Sequence, residues 1–146
     1  MEQELRTTLE PAPDPADVRF LDARLLEYNL QHTDADNLAP LAAFLRDAQG
    51  EIVGGLAGGT FWGWLHIDVL WIREGLRGAG HGRRLLRLAE QEAARRGCHS
   101  AQVETHSFQS LSFYEGQGYT VYGQLADFPT PIYPVNRVRA KAIRAR

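Results

Sequence analysis

The sequence has little of what marks secreted or membrane proteins. Its 146 residues include one cysteine, Cys98, so no disulfide can form within the chain. No apolar run approaches the roughly 20 residues that a membrane helix needs, and the acidic start MEQELRTTLE is not expected to act as a signal peptide. Because a disulfide framework is lacking, we expect a cytoplasmic protein without a membrane partner.

The chain also lacks an excess of charge of one sign. Sixteen basic and 18 acidic side chains leave a formal net charge of −2, which gives no general attraction for nucleic acid or anionic lipid. We interpret the basic tail RVRAKAIRAR, residues 137–146, as a solvated end rather than a nucleic-acid site. No repeat, low-complexity tract or linker divides the sequence, so we expect one domain over residues 1–146, with an atypical tail from about residue 128.

Hydrophobic periodicity predicts a mixed α/β (α+β) fold. A first helix is expected to begin at Asp14, a good N-cap residue. The residues of its predicted buried face are Val18, Leu21, Leu25 and Tyr28. Strands are predicted over 41–48, 51–59, 65–72, 99–105 and 119–125, and further helices over 80–97 and 110–117. Hairpins followed by strand–helix–strand favour a mixed sheet with at least one parallel crossover.

Three alternate glycines, Gly78, Gly80 and Gly82, stand between a predicted strand and a predicted helix. The first turn of a helix carries unpaired N–H groups and a partial positive charge. Glycines let the oxygens of an anion reach those amides, and Arg77 and Arg83 add charge on either side. The stretch therefore predicts a phosphate or pyrophosphate site rather than a plain strand-to-helix turn.

Two common nucleotide motifs do not fit this stretch. The dinucleotide pattern G-x-G-x-x-G, begun at Gly78, would need a glycine where Arg83 stands. The P-loop pattern, begun at Gly75, reaches Gly80 correctly but then has His81 in place of the phosphate-binding lysine. Both patterns therefore fail at a fixed position.

The glycine turn resembles the pyrophosphate-binding signature R/Q-x-x-G-x-G/A of the GNAT superfamily of N-acetyltransferases, which Arg77–Gly82 matches at every fixed position. The stretch FYEGQGYTVYG, residues 113–123, is similar to that family's second landmark, F-Y-x-x-x-G-F/Y. The resemblance covers roughly residues 3–125. It implies a GNAT-like acyl-CoA acyltransferase fold, with a mostly antiparallel, splayed sheet flanked by helices. It also implies acetyl-CoA as cosubstrate, no metal, a small-molecule or peptide amine as acceptor, and a homodimer.

The resemblance also assigns residues to the coenzyme. The pantetheine arm is expected along Leu70, Trp71 and Ile72, and the pyrophosphate on Arg77, Gly78, Ala79, Gly80, His81, Gly82 and Arg83. Ser107 and Ser110 are expected near the thioester, although the family often has asparagine at the place aligned with Ser107. A sensor that binds acyl-CoA without turnover, or an interaction module without coenzyme, is the alternative to an enzyme.

The attacking amine must be neutral, and holding a lysine-like amine deprotonated at pH 7 costs about 4–5 kcal/mol. The resemblance places Tyr114 where the family has a general acid for the leaving thiolate. For the base, Asp68 is the first choice, followed by His66, Glu104, His106 and a path through water. Each of these residues could instead be a hydrogen-bonded group on the surface of the sheet.

Strand alternation predicts that His66 and Asp68 share one face and that Ile67 and Val69 share the other. The aromatic residues at 61–64 and Trp71 are interpreted as hairpin packing and core rather than as an aromatic cage for a cation. Cys98 is expected to be an inert core residue, away from the glycine turn.

Prolines complicate the end of the chain. Pro131 and Pro134 stand where the family has a final strand, and proline cannot donate a hydrogen bond to a strand ladder. We therefore expect that strand to be short, displaced or absent. Because the acceptor pocket is partly built there in the family, the resemblance does not carry over its specificity.

Overall fold

The structure, a computed structural model, describes residues 5–33, 38–106, 111–126 and 135–143. The chain divides into two compact units, Met1–Asp36 and Asn37–Arg146; a single domain over 1–146 stays a prediction. In chain order the helices and strands are α1 (Pro15–Leu30), β1 (Ala39–Arg46), β2 (Ile52–Phe61), β3 (Trp64–Ile72), α2 (His81–Arg95), β4 (Ser100–His106), α3 (Leu111–Gly116), β5 (Thr120–Ala126) and β6 (Val135–Ala142). A short 3-10 helix, Glu74–Leu76, lies between β3 and α2.

The second unit contains a six-stranded sheet with the order β1-β2-β3-β4-β6-β5. β3 and β4 run parallel, and each of the other neighbouring pairs runs antiparallel. α2 lies in the crossover between the two parallel strands, as such a connection requires. The predicted mixed, mostly antiparallel sheet with one parallel crossover is confirmed.

The first unit contains α1, which begins as predicted. The Asp14 carboxylate accepts a hydrogen bond from the amide of Ala16 at 2.8 Å and caps the helix. The predicted buried face is wrong, because no residue of α1 is buried. Apolar residues also stand at Phe20, Leu26 and Leu30, so the apolar side chains surround the helix and do not define one stripe. Within the described ranges, no helix is long and apolar enough to cross a membrane.

α2 packs its apolar face on the sheet. The buried residues of this helix are Leu85, Leu86, Ala89 and Ala93, the set predicted from their spacing. They join Leu41, Leu56, Leu65 and Ile67 of the strands in one core. The helix ends before Gly97, whose φ of +87° allows the left-handed stop.

The final strand is present and begins directly after Pro134. β6 lies between β4 and β5 and pairs antiparallel with both. Pro131 and Pro134 lie outside the described residues. Residues 137–142 of the basic tail, which was interpreted as a solvated end, belong to this strand. The alternation of basic with small or apolar residues there is the period of a strand, which charge alone does not reveal.

A half-buried polar cluster links β6 to α2. Lys141 Nζ donates to both carboxylate oxygens of Glu90 at 3.1 Å, and the Tyr119 hydroxyl donates to Glu90 Oε1 at 2.9 Å. Tyr119 is 2% exposed. Burial, followed by the nearby Glu90 carboxylate, raises the pKa of Tyr119, so its hydroxyl stays protonated and keeps donating to Glu90.

A β-bulge interrupts the pairing of β2 with β3. Ala57 pairs with Val69 and Gly58 pairs with Ile67, so Asp68 is an extra residue on β3. The bulge changes which side chains face the core, because Ile67 is 5% exposed whereas Val69 is 55% exposed. The prediction that Ile67 and Val69 share a face is therefore wrong, since it assumed an unbroken alternation.

Candidate active site

The turn of alternate glycines joins the end of β3 to α2. Gly78 and Gly80 have φ values of +80° and +83°, a left-handed conformation that glycine adopts without strain. Gly80 is the N-cap residue of α2 and has no side chain to bond the first amides. Its carbonyl accepts the first helical hydrogen bond, from the amide of Arg84 at 3.1 Å.

The first amides of α2 are open to a ligand. The N–H groups of His81, Gly82 and Arg83 precede the first intrahelical bond, and they find no acceptor among the residues that the structure describes. They also carry the partial positive charge of the helix N-terminus. This arrangement suits phosphate oxygens, which accept hydrogen bonds and carry negative charge.

Side chains around the turn add to this site. Arg77 Nε donates to the carbonyl of Ile72 at 2.9 Å and holds the turn against the end of β3. Arg83 Nη2 lies 3.7 Å from the position that a Cβ on Gly80 would take. His81 Nδ1 is buried without a hydrogen-bond partner among the described residues. Buried polar atoms are rarely left without a partner.

β3 and β4 separate next to the turn. Their parallel pairing covers four residue pairs and ends at Ile67 and Val103. Beyond that point, no described residue of β4 pairs with Asp68–Ile72, so this segment has an open edge. An extended arm of a ligand can pair with such an edge in the way that a peptide adds to a sheet.

The three residues predicted to follow the pantetheine arm lie on this edge. The side chains of Leu70 and Ile72 pack against the core, while Trp71 is 46% exposed. The bulge explains why Leu70 and Ile72, rather than Trp71, face inward. A ligand along the open edge therefore meets backbone groups of Leu70 and Ile72 rather than their side chains.

Tyr114 lies on α3 and is 7% exposed. Its ring meets the rings of Phe113 and Tyr119 edge-on, with centroids 5.0 and 5.6 Å away. Burial raises the pKa of Tyr114 to about 12, because the phenolate would lose its hydration. The phenol is therefore protonated at neutral pH and remains a hydrogen-bond donor.

Phe113 connects α3 with the start of α2. Its ring lies 3.5 Å from the position that a Cβ on Gly82 would take. The glycine turn and the helix that carries Tyr114 are therefore neighbours. Gly82 leaves the space beside this ring unfilled.

A cavity of about 410 Å³ opens beside the bulge. Its lining residues are Leu38, Pro40, Gly58, Gly59, Phe61, His66 and Asp68. The volume lies in the range of small-molecule sites. His66 is half-buried and Asp68 is exposed, and both line this cavity, in agreement with the face predicted for them. The cavity therefore lies where the open edge of β3 begins.

Comparison with known proteins decides the family. A family model described as Acetyltransferase (GNAT) family matches residues 3–119. The chain belongs to the GNAT acetyltransferase family. The resemblance inferred from the glycine turn is confirmed, and this GNAT chain is an acyl-CoA-dependent N-acyltransferase.

Relatives and solved structures agree with this assignment. A Blasticidin-S acetyltransferase of Streptomyces morookaense is 42% identical over 68% of this chain and 74% of its own length. An acetyltransferase of Agrobacterium fabrum is 37% identical over 69% and 74% of the two chains. The crystal structure of an acetyltransferase from Bacillus cereus superimposes with a TM-score of 0.83, at 27% identity, over 92% of this chain and 97% of the other.

Some residues predicted for the GNAT site are not brought to the cavity. Glu104 is exposed and His106 is half-buried on β4, and neither is among the described residues that line the cavity. Ser107 and Ser110 lie outside the described residues. Of the candidate bases, Asp68 and His66 are thus the two that line the cavity.

Sequence reasoning missed two residues of this GNAT site. Gln102 on β4 lies directly opposite His66 in the parallel register, and its Nε2 is 2.7 Å from His66 Nδ1. The Tyr122 hydroxyl donates to Gln102 Oε1 at 3.0 Å. Together with His66, these two residues come from three strands that are distant in sequence. Only the pairing of the strands could therefore have revealed the contacts.

The interpretation of the aromatic residues as core is wrong for Trp62 and Trp71, which are 45% and 46% exposed. Phe61 lines the cavity and stacks on Trp62 with centroids 4.2 Å apart, whereas Trp64 packs edge-on against His99. Cys98 is buried, and burial raises the pKa of its thiol, so it is a poor nucleophile. Within the described residues, no group of three His, Cys, Asp or Glu side chains is placed to hold a metal.

Proposed function

We propose that the chain transfers an acetyl group from acetyl-CoA to a primary amine of a small molecule by direct attack in a ternary complex. The observation that carries the proposal is the set of open amides at the start of α2, next to the open edge of β3. A diphosphate is the part of the coenzyme that suits those amides. The cavity beside Asp68 is where the open edge begins, which suits an amine that must reach the thioester.

The reaction then needs two proton movements. The amine nitrogen attacks the thioester carbon, the carbon–sulfur bond breaks, and the sulfur leaves as a thiolate. We assign the amine proton to the Asp68 carboxylate, which faces the cavity, and it passes from there to water. The phenol of Tyr114 donates a hydrogen bond to the departing sulfur, which then takes up a proton to form the free thiol.

The lining of the cavity supports a proposal for the acceptor. Among the described lining residues, Asp68 has a carboxylate that can bind an ammonium group before deprotonation, and Phe61, Leu38 and Pro40 form other walls. The curated relative named Blasticidin-S acetyltransferase supports an antibiotic-like amine of moderate size. We therefore propose a compact amine that carries both polar and apolar surface.

The test is release of free thiol from acetyl-CoA across a panel of amines that includes blasticidin S, an aminoglycoside, a polyamine and a peptide N-terminus. The proposal predicts release that depends on a small-molecule amine and that falls at least tenfold in Asp68→Asn. Binding of acetyl-CoA without thiol release for any amine would indicate a sensor. Absence of both binding and release would contradict the whole proposal.

A further inference from the structure

We propose that Gln102 and Tyr122 are positioning residues that fix the tautomer of the His66 imidazole with its proton on Nε2, so that His66 donates a hydrogen bond to the acceptor molecule and does not act as base. This inference rests on the proposed function, because it concerns the same cavity. It assigns the two cavity-lining polar residues opposite tasks. Asp68 accepts from the amine, and His66 donates to an oxygen of the same molecule.

The three residues form a chain across the sheet. His66 and Gln102 are register partners at the last stretch of parallel pairing between β3 and β4. Tyr122 on β5 reaches over β6 to the same amide, with its hydroxyl 3.0 Å from Gln102 Oε1. Each contact is short enough for a good hydrogen bond.

The amide group of Gln102 determines which atoms donate and which accept along this chain of hydrogen bonds. Because the Tyr122 hydroxyl donates to Oε1, the amide turns its NH₂ toward the ring, where Nε2 donates to His66 Nδ1 at 2.7 Å. A nitrogen that accepts a hydrogen bond carries no proton itself. The neutral imidazole of His66 must therefore carry its proton on Nε2.

Among the described residues that line the cavity, Asp68 on the same strand is the charged group beside His66. His66 Nε2 has no partner among the described residues, so its N–H is left for a ligand.

A hydrogen-bond donor on His66 and the carboxylate of Asp68, on one wall of the cavity, favour a substrate with matching groups. A substrate with only an amine would displace water from the cavity and leave the N–H of His66 without a partner, which is unfavourable. A substrate with a carbonyl or hydroxyl oxygen near its amine satisfies both residues. We therefore infer that the acceptor carries a hydrogen-bonding oxygen close to the amine that is acetylated.

The first test is the tautomer of His66, measured by long-range ¹H–¹⁵N correlation on the full chain at neutral pH. His66→Asn identifies the signals by their loss. The inference predicts a protonated Nε2 and an unprotonated Nδ1. A proton on Nδ1 in the wild type would overturn it and would return His66 to the candidate bases.

Gln102→Glu provides the matched variant, because it keeps the length of the side chain and replaces the donor with an acceptor. Nδ1 is then expected to carry a proton, which changes its spectroscopic signature. A purely structural role of Gln102 would leave the tautomer unchanged, and that result would also overturn the inference. Tyr122→Phe removes the donor that orients the amide and is expected to give both tautomers.

The kinetic test separates this inference from the proposed function. In His66→Phe, which removes the Nε2 donor, the KM for an oxygen-bearing amine is expected to rise about tenfold, the effect of one lost hydrogen bond, while the KM for acetyl-CoA stays unchanged. An acceptor analogue without the oxygen should lose little in the variant. Equal losses for both acceptors would overturn the inference, whereas absence of thiol release in the wild type would overturn the proposed function.

Discussion

Replacing Tyr114 with phenylalanine removes one oxygen and keeps the ring that packs against Phe113 and Tyr119. Because the ring contacts remain, we expect the free energy of unfolding to change by less than about 1 kcal/mol. The phenol oxygen is the part that the proposed mechanism uses, as a donor to the departing sulfur. The variant therefore tests the mechanism with little disturbance of the fold.

The expected loss follows from the two pKa values involved. Burial raises the pKa of Tyr114 to about 12, whereas a thiol like that of cysteine has a pKa near 8.5. Complete transfer of the proton to sulfur would be uphill by about 5 kcal/mol. The phenol is thus expected to act mainly through a charge-assisted hydrogen bond, worth about 1.5–3 kcal/mol, so kcat should fall about 10- to 100-fold.

The assay is steady-state thiol release with both substrates saturating, with the Kd for acetyl-CoA measured by calorimetry. The Kd should not change, because the amides at the start of α2 are intact. Tyr119→Phe is the matched control: it removes a buried hydroxyl that bonds Glu90 and should lower stability while kcat stays within threefold. A kcat for Tyr114→Phe within threefold of the wild type, or an equal loss in both variants, would refute the reasoning.

Three further predictions concern stability. Gly78→Ala should lower the free energy of unfolding, measured by urea titration, by about 1–2 kcal/mol, because φ at this position is +80°. Gly75→Ala is the control, because the space around it is equally open, and it should have little effect. Gly58→Ala would overlap a backbone carbonyl of β3 and should cost at least about 2 kcal/mol, unlike Gly123→Ala, whose Cβ meets no atom. Because burial raises the pKa of Tyr114 to about 12, this residue contributes about 3 kcal/mol to the free energy of unfolding below pH 10. The contribution is lost as the pH rises to about 12, because the unfolded chain deprotonates first. Urea unfolding at about pH 8 and pH 11.5 should therefore show a larger alkaline loss in the wild type than in Tyr114→Phe, and equal losses would contradict this account.

The elements with strong local patterns could be predicted from the sequence. The spacing of Leu85, Leu86, Ala89 and Ala93 defined the buried face of α2, and the alternate glycines marked the turn before it. Both signals are local, because helix periodicity and the need for positive φ depend on neighbouring residues. The glycine turn also carried the family resemblance that comparison confirmed.

The remaining features depend on pairing between distant strands. The bulge at Asp68 depends on how β2 meets β3, and no pattern within β3 reveals it. The chain from Tyr122 through Gln102 to His66 depends on the register of three strands. The position of β6 was not predicted, because Pro131 and Pro134 argued against a strand more strongly than the alternation of basic and small residues argued for one. Proline only prevents a strand from starting earlier.

The central claim is that the open amides of α2 bind the diphosphate of coenzyme A, and thermal unfolding tests it most directly. Acetyl-CoA at 100 times its Kd should stabilise the protein by about 2.7 kcal/mol, which raises the melting temperature by about 5 °C or more. Acetyl-pantetheine, which has the thioester but no diphosphate, should cause no comparable shift at the same concentration. An equal shift with both compounds, or none with acetyl-CoA, would contradict the account.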